Sequence, residues 1–96
     1  MSALTLARMS VDDIPAVSAI DQLSFPLPWS ASSYHHELTR NPAAHWWVAR
    51  LTPDLIGYTG YWFIVDEIHI STVAVHPQWR RQSVGTQLLR RILRDG

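Results

Sequence analysis

The chain has 96 residues, of which 47% are apolar and 10% aromatic, with a formal net charge of zero and no cysteine. That length makes one domain at most, covering roughly 65% of its unfolded surface, and the apolar content is too high for disorder. No apolar run approaches the ~18 residues of a membrane span, no signal-peptide pattern opens the chain, and disulfides and thiolate metal sites are excluded. A soluble cytoplasmic protein without a membrane partner is expected.

The predicted elements begin with a short strand around Leu4, Leu6 and Ala7. Ser10 or Asp12 can cap a helix, and Ser10-x-x-Asp13 has capping-box spacing. Ile14, Val17 and Ile20 or Leu23 give that helix an inward stripe, with Pro15 early enough to be tolerated. Phe25-Pro26-Leu27-Pro28-Trp29 is a stiff aromatic loop, because each proline restricts itself and its predecessor. Ser30 caps a second helix through Thr39, with Tyr34 and Leu38 one turn apart, and Asn41-Pro42 ends it.

Three strands are predicted next: His45 to Leu51, Ile56 to Val65, and Ile68 to Val75. Thr52-Pro53-Asp54 and Asp66-Glu67 supply the reversals. The middle strand is apolar on both alternating faces, with Ile56, Tyr58, Trp62 and Ile64 against Tyr61, Phe63 and Val65. It is therefore predicted to be central and covered on both sides. The last helix carries Val84, Leu88, Leu89 and Ile92 on one side, with Arg90, Arg91 and Arg94 mostly opposite. The order is β-α-α-β-β-β-α.

All eight basic residues are arginine, and five of them follow residue 79 against the single Asp95, so that tail carries +4 and the remainder −4. Arg90, Arg91 and Arg94 read as a solvated helix face. Arg80 and Arg81 differ, because they stand in a loop between a strand and the start of a helix. A helix N-terminus offers free N–H groups and the positive end of its dipole, so Arg80 to Thr86 suits a phosphate-bearing cofactor.

Three passages resemble the GNAT acetyltransferases, and within that superfamily the RimI-like enzymes. Ser24-Phe25-Pro26-Leu27-Pro28-Trp29-Ser30 is similar to their Phe-x-x-Pro-Trp-Ser segment. Asp66-Glu67 with Val73-Ala74-Val75-His76-Pro77 is similar to Asp-Glu…Ile-Ala-Val-x-Pro. Arg80-Arg81-Gln82-Ser83-Val84-Gly85-Thr86 resembles the Gln/Arg-x-x-Gly-x-Gly/Ala loop. The resemblance covers essentially all 96 residues. It implies one GNAT domain, α/β (α+β), incomplete at the C-terminus, with a mixed, mainly antiparallel sheet.

The resemblance also implies function. The expected activity is acetyl-CoA-dependent N-acetylation of the N-terminal alanine of a small-subunit ribosomal protein, by direct attack of the amine on the thioester. Main-chain groups of Val73, Ala74 and Val75 would bond the pantetheine arm. Arg80, Arg81, Gln82, Ser83, Val84, Gly85 and Thr86 would hold the pyrophosphate, and Trp29 would wall the peptide groove. Ser83 stands at the family's first glycine; if that position needs positive φ, serine costs about 1 kcal/mol or more, and weakened CoA binding is expected.

The family's general base and acid lie beyond the residues matched, so the catalytic residues are unknown. The remaining candidate is His69, at a strand position where other GNAT branches place a glutamate base. Histidine has a suitable pKa for that work, although a hydrogen-bonded strand histidine is the plainer reading. Glu67 reads as a turn carboxylate, and Trp46, Trp47 and Trp62 as core or strand-face packing.

Five histidines without metal-ligand spacing lead to no expected metal. The alternative function is a catalytically inactive CoA-binding or interaction fragment. An arginine tail without a base-stacking motif gives no expectation of nucleic acid.

Overall fold

Hydrophobic periodicity and turn chemistry place the elements in the predicted order. The computed structural model describes residues 4–51, 54–64, 67–80 and 83–95. They form β1 (Thr5–Arg8), α1 (Ile14–Ser24), α2 (Ala31–Arg40), β2 (Ala44–Leu51), β3 (Asp54–Ile64), β4 (Glu67–Val75) and α3 (Val84–Asp95).

A capping box precedes α1: Asp13 accepts from the Ser10 backbone N–H at 2.8 Å, and its other oxygen pairs with Arg50 of β2. Ile14, Val17 and Ile20 are buried along α1, whereas Leu23 is 59% exposed, so Ile20 completes the inward stripe. Ser30 caps α2 by accepting from Ser33 N–H at 3.1 Å. Asn41 ends that helix with its side chain bonded back to Glu37 at 2.9 Å.

The sheet order is β1-β2-β3-β4, and every described pairing is antiparallel. The sheet is antiparallel throughout among the described residues, where the resemblance implies a mixed, mainly antiparallel one. α1 and α2 cover one face through a core that includes Ile14, Val17, Tyr34, Trp46 and Tyr58. α3 covers the other, packing Val84, Leu88 and Ile92 onto Trp47, Ala49 and Ile56.

Two β-bulges modify the predicted alternation. Ala49 faces Gly57 and Arg50 faces Leu55, which leaves Ile56 unpaired. Gly60 faces Thr72 and Tyr61 faces Ile70, which leaves Ser71 unpaired. A bulge turns a strand's side chains relative to the face on which they began. The consequence in β4 is that Ser71 and Thr72, though adjacent, both line one cavity.

Two expectations change. β3 is central, but Phe63 and Ile64 at its far end are 41% and 47% exposed, because the strand outruns the helices that cover its middle. The Asp54 end of the first reversal belongs to β3 and pairs with Leu51. Thr52, Pro53, Val65 and Asp66, named in the predicted strand and reversals, lie outside the described residues.

Candidate active site

β4 is an edge strand of the sheet. Its register fixes which backbone groups face the open side. His76 N–H donates to Ile56 O at 2.7 Å, which makes Gly57–Val75 a non-hydrogen-bonded pair and Tyr58–Ala74 a bonded one. Ala74 therefore spends its N–H and C=O on β3, while those of Val73 and Val75 point outward in the plane of the sheet. The three residues expected to present backbone groups divide accordingly: Val73 presents both, Val75 its N–H, since its C=O accepts from Arg80, and Ala74 neither.

The chain then makes a 3₁₀ turn over Pro77–Trp79 and reaches Arg80. The Arg80 guanidinium turns back rather than outward. Its Nε donates to Val75 O at 3.0 Å and its Nη2 donates to Ser24 Oγ at 3.2 Å. Arg81 and Gln82 lie outside the described residues.

Ser83 has φ 65°, the one positive φ among the described residues. Serine thus occupies a conformation suited to glycine, at a cost of about 1–2 kcal/mol. The strain exists in the chain without ligand, so its cost falls on folding, not on cofactor binding. Gln87 N–H donates to Ser83 O at 3.0 Å and closes the first turn of α3. The N–H groups of Val84, Gly85 and Thr86 then have no acceptor within the helix.

Val84 itself is a core side chain, buried against the sheet, so it can serve a ligand only through its backbone. Gly85 faces the seam between β4 and α3. A Cβ there would meet Val73 Cγ1 at 3.7 Å and Val75 Cγ2 at 3.9 Å, ordinary contact distances. Nothing in the chain's own packing requires this glycine; it leaves the seam open. An outward-facing strand edge, helix N–H groups without an intrahelical acceptor and an open seam together fit an extended ligand ending in phosphate.

On the α1–α2 face, the Phe25–Trp29 loop walls a cavity of about 320 Å³ whose lining includes Asp21, Leu27, Tyr34 and, from β4, Ser71 and Thr72. Trp29 belongs to that wall and packs its ring against Tyr34 and Trp46 at centroid distances of 5.3 and 5.7 Å. The wall is held from below by Asp21, whose carboxylate accepts from Trp29 N–H at 2.9 Å and from the Tyr58 hydroxyl. Tyr34 OH donates in turn to Tyr58 OH at 3.3 Å. Burial raises the pKa of both tyrosines well above the ordinary phenol value, and for Tyr58 the bond to Asp21 adds to the shift. Both hydroxyls stay protonated and act as donors.

His69 lies outside the lining of this cavity. It pairs across the sheet with Trp62, and its Nε2 lies 3.2 Å from Glu67 Oε2, with the imidazole side chain 48% exposed. Glu67 thus begins β4 and partners His69. Trp46 and Trp47 are buried as expected, and Trp62 Nε1 donates to Glu37 at 2.7 Å. Arg91 lies with its guanidinium 5.0 Å from the Trp47 ring, so it is partly committed to packing, while Arg90 and Arg94 are exposed. Among the described residues no group of three His, Asp or Glu side chains is placed to share a metal, and no helix is long and apolar enough to cross a membrane.

The Acetyltransferase (GNAT) family model matches residues 14–96. The chain belongs to the GNAT acetyltransferase family. A Bacillus subtilis protein provisionally named ribosomal protein bS18-alanine N-acetyltransferase is 40% identical over 83 residues, covering 86% of this chain and 55% of that protein. The crystal structure of the Escherichia coli ribosomal-protein-S18-alanine N-acetyltransferase superposes with TM-score 0.86 at 20% identity, over 97% of this chain and 59% of that one. A Thermoplasma acidophilum PaiA N-acetyltransferase, solved with coenzyme A, gives TM-score 0.78 at 14% identity over 96% of this chain and 70% of that one. This GNAT chain spans little more than half the length of the curated relative it matches.

Asp21, Tyr34, Tyr58, Ser71 and Thr72 were not singled out by sequence reasoning as site residues. Asp21 had a legible signal: an acidic residue one turn after Val17 and next to Ile20, on the stripe that faces the core. Ser71 and Thr72 had none, because a bulge sets their direction.

Proposed function

We propose that this GNAT chain binds acetyl-CoA along the outer edge of β4 and the first turn of α3. On this reading it serves acetylation of the N-terminal alanine of a small-subunit ribosomal protein in the cytoplasm. The observation that carries the reading is the continuity of the β4 edge with the Ser83 turn and the open seam at Gly85. The names of the Bacillus and Escherichia relatives support the acceptor, and the family supports the donor.

Acetyl-CoA, when bound, supplies a thioester carbonyl open to direct attack by an amine. The Val75 N–H, turned outward, would support negative charge developing at the edge of β4. The N–H groups of Val84, Gly85 and Thr86 would receive the pyrophosphate. Trp29, Leu27 and the hydroxyls of Ser71 and Thr72 bound the space where an acceptor N-terminus would enter, on the far side of the same strand. No covalent enzyme intermediate is needed, in keeping with the absence of a cysteine. His69, on the cavity's face but outside its lining, would take a proton only through water.

The test is isothermal titration of the chain with CoA, followed by incubation with acetyl-CoA and an alanine-initiated peptide, read by the peptide's mass. Binding with acetylation supports the whole reading. Binding without acetylation supports a CoA-binding fragment, and no binding refutes both.

A further inference from the structure

The cavity wall is tied down at both ends. At one end Trp29 N–H donates to Asp21 Oδ2 at 2.9 Å. At the other, Phe25 N–H closes α1 onto Asp21 O at 3.0 Å, and the preceding Ser24 receives Arg80 Nη2 at 3.2 Å from 56 residues away. The same guanidinium donates through Nε to Val75 O at 3.0 Å. Arg80 thus joins three things: the outward edge of β4, the loop that leads to Ser83 and α3, and the last residue of the helix before the wall.

We propose that Arg80 is a positioning residue that couples the two halves of the site. CoA held at the β4–α3 seam would fix the Arg80 bridge, and the bridge would fix the Phe25–Trp29 wall. The inference rests on the reading that the seam binds CoA. A guanidinium suits this role because its planar fork holds two donors in fixed relation, which a lysine ammonium cannot reproduce. The wall suits it as well, because Pro26 and Pro28 remove torsional freedom. Fixing Ser24 therefore constrains Trp29 five residues on.

Coupling between sites is reciprocal, and at its weak end amounts to about fivefold. Exposed bonds of this kind belong at that end.

Amide hydrogen exchange reports the proposal directly, since the Phe25 and Trp29 N–H groups are the ones bonded to Asp21. Exchange at both would be measured without and with saturating CoA, in the parent, in Ser24→Ala and in Arg80→Lys. CoA is expected to slow exchange about fivefold in the parent. Ser24→Ala is expected to bind CoA at most about fivefold more weakly and to lose the slowing at saturation, and Arg80→Lys to lose the slowing. Undiminished slowing in both variants would overturn the proposal, as would CoA binding in the parent with no change at Phe25 or Trp29. Either result leaves the CoA-binding reading intact, whereas failure of the parent to bind CoA would overturn both.

Discussion

Gly85→Ala separates what the fold needs from what a ligand needs. Gly85 does not have positive φ, so alanine can adopt its backbone conformation. The added Cβ would meet Val73 Cγ1 at 3.7 Å and Val75 Cγ2 at 3.9 Å, contacts that need no adjustment. Alanine in a helix is favoured over glycine by about 0.5–1 kcal/mol, part of it through the unfolded state. At roughly 4–8 °C per kcal/mol for a domain of this size, the melting temperature should rise by about 2–8 °C.

The same methyl group stands in the seam through which a pyrophosphate would reach the helix N–H groups. Displacing one charge-assisted hydrogen bond costs about 1.5–3 kcal/mol, or roughly 10–100-fold in affinity. Thermal unfolding by circular dichroism and CoA titration by calorimetry would read the two effects separately. A more stable variant that binds CoA as tightly as the parent would refute the argument that the glycine exists for close approach. A less stable variant would refute the described packing of the seam.

Ser83→Gly should act on stability alone. It releases about 1–2 kcal/mol of left-handed strain and returns about 0.5–1 kcal/mol to the freer unfolded chain, so a net gain of up to about 1.5 kcal/mol is expected in urea unfolding. CoA affinity should stay within roughly twofold, since the strained turn is present before binding. Gly60→Ala should do the reverse of Gly85→Ala: its Cβ would be driven into the Trp46 ring, costing about 1–3 kcal/mol of overpacking strain, and an unchanged melting temperature would contradict the Trp46–Gly60 stack. Alkaline stability follows from Tyr34 and Tyr58, whose folded pKa values are raised above the ordinary 10.0. Their contribution is fully present below pH 10, and is lost as pH rises from there toward the folded values, by up to about 1.4 kcal/mol per pH unit for each tyrosine. Tyr58→Phe should make the decline above pH 10 shallower, as followed by chemical unfolding at a series of pH values.

The helices and the order of elements along the chain were legible because each is dictated by local pattern. The stripe of Ile14, Val17 and Ile20 can be satisfied only by a helix, and the proline-bounded Phe25–Trp29 segment only by a stiff loop. The strand, turn and helix start of the proposed CoA site were legible for the same reason: they are contiguous, and the positions of their backbone groups follow from the element types. What was not legible is where a side chain goes once a strand is bulged. Ser71 and Thr72 have no sequence mark that sends both to the cavity; the pairing of Gly60 with Thr72 and Tyr61 with Ile70 does that. The partners of Arg80 within the chain were not legible either: beside a predicted phosphate loop a guanidinium reads as a phosphate ligand, and a carbonyl at 3.0 Å and a hydroxyl at 3.2 Å take two of its five N–H donors.

On the proposed reading, the same bulge would let one edge strand serve two substrates. Beyond Ser71 toward the C-terminal end, β4 turns the backbone groups of Val73 and Val75 to the open edge and their side chains toward α3, where Gly85 lies against them. At the bulge itself, two consecutive residues, Ser71 and Thr72, line the space under the Trp29 wall. A regular strand would alternate, giving the cavity Thr72 or Ser71 but not both. Insertion of the unpaired residue therefore brings two hydroxyl-bearing residues to the cavity without disturbing the outward edge at Val73 and Val75. The junction of the two half-sites is thus set by strand register, with Arg80 spanning it from Val75 to Ser24.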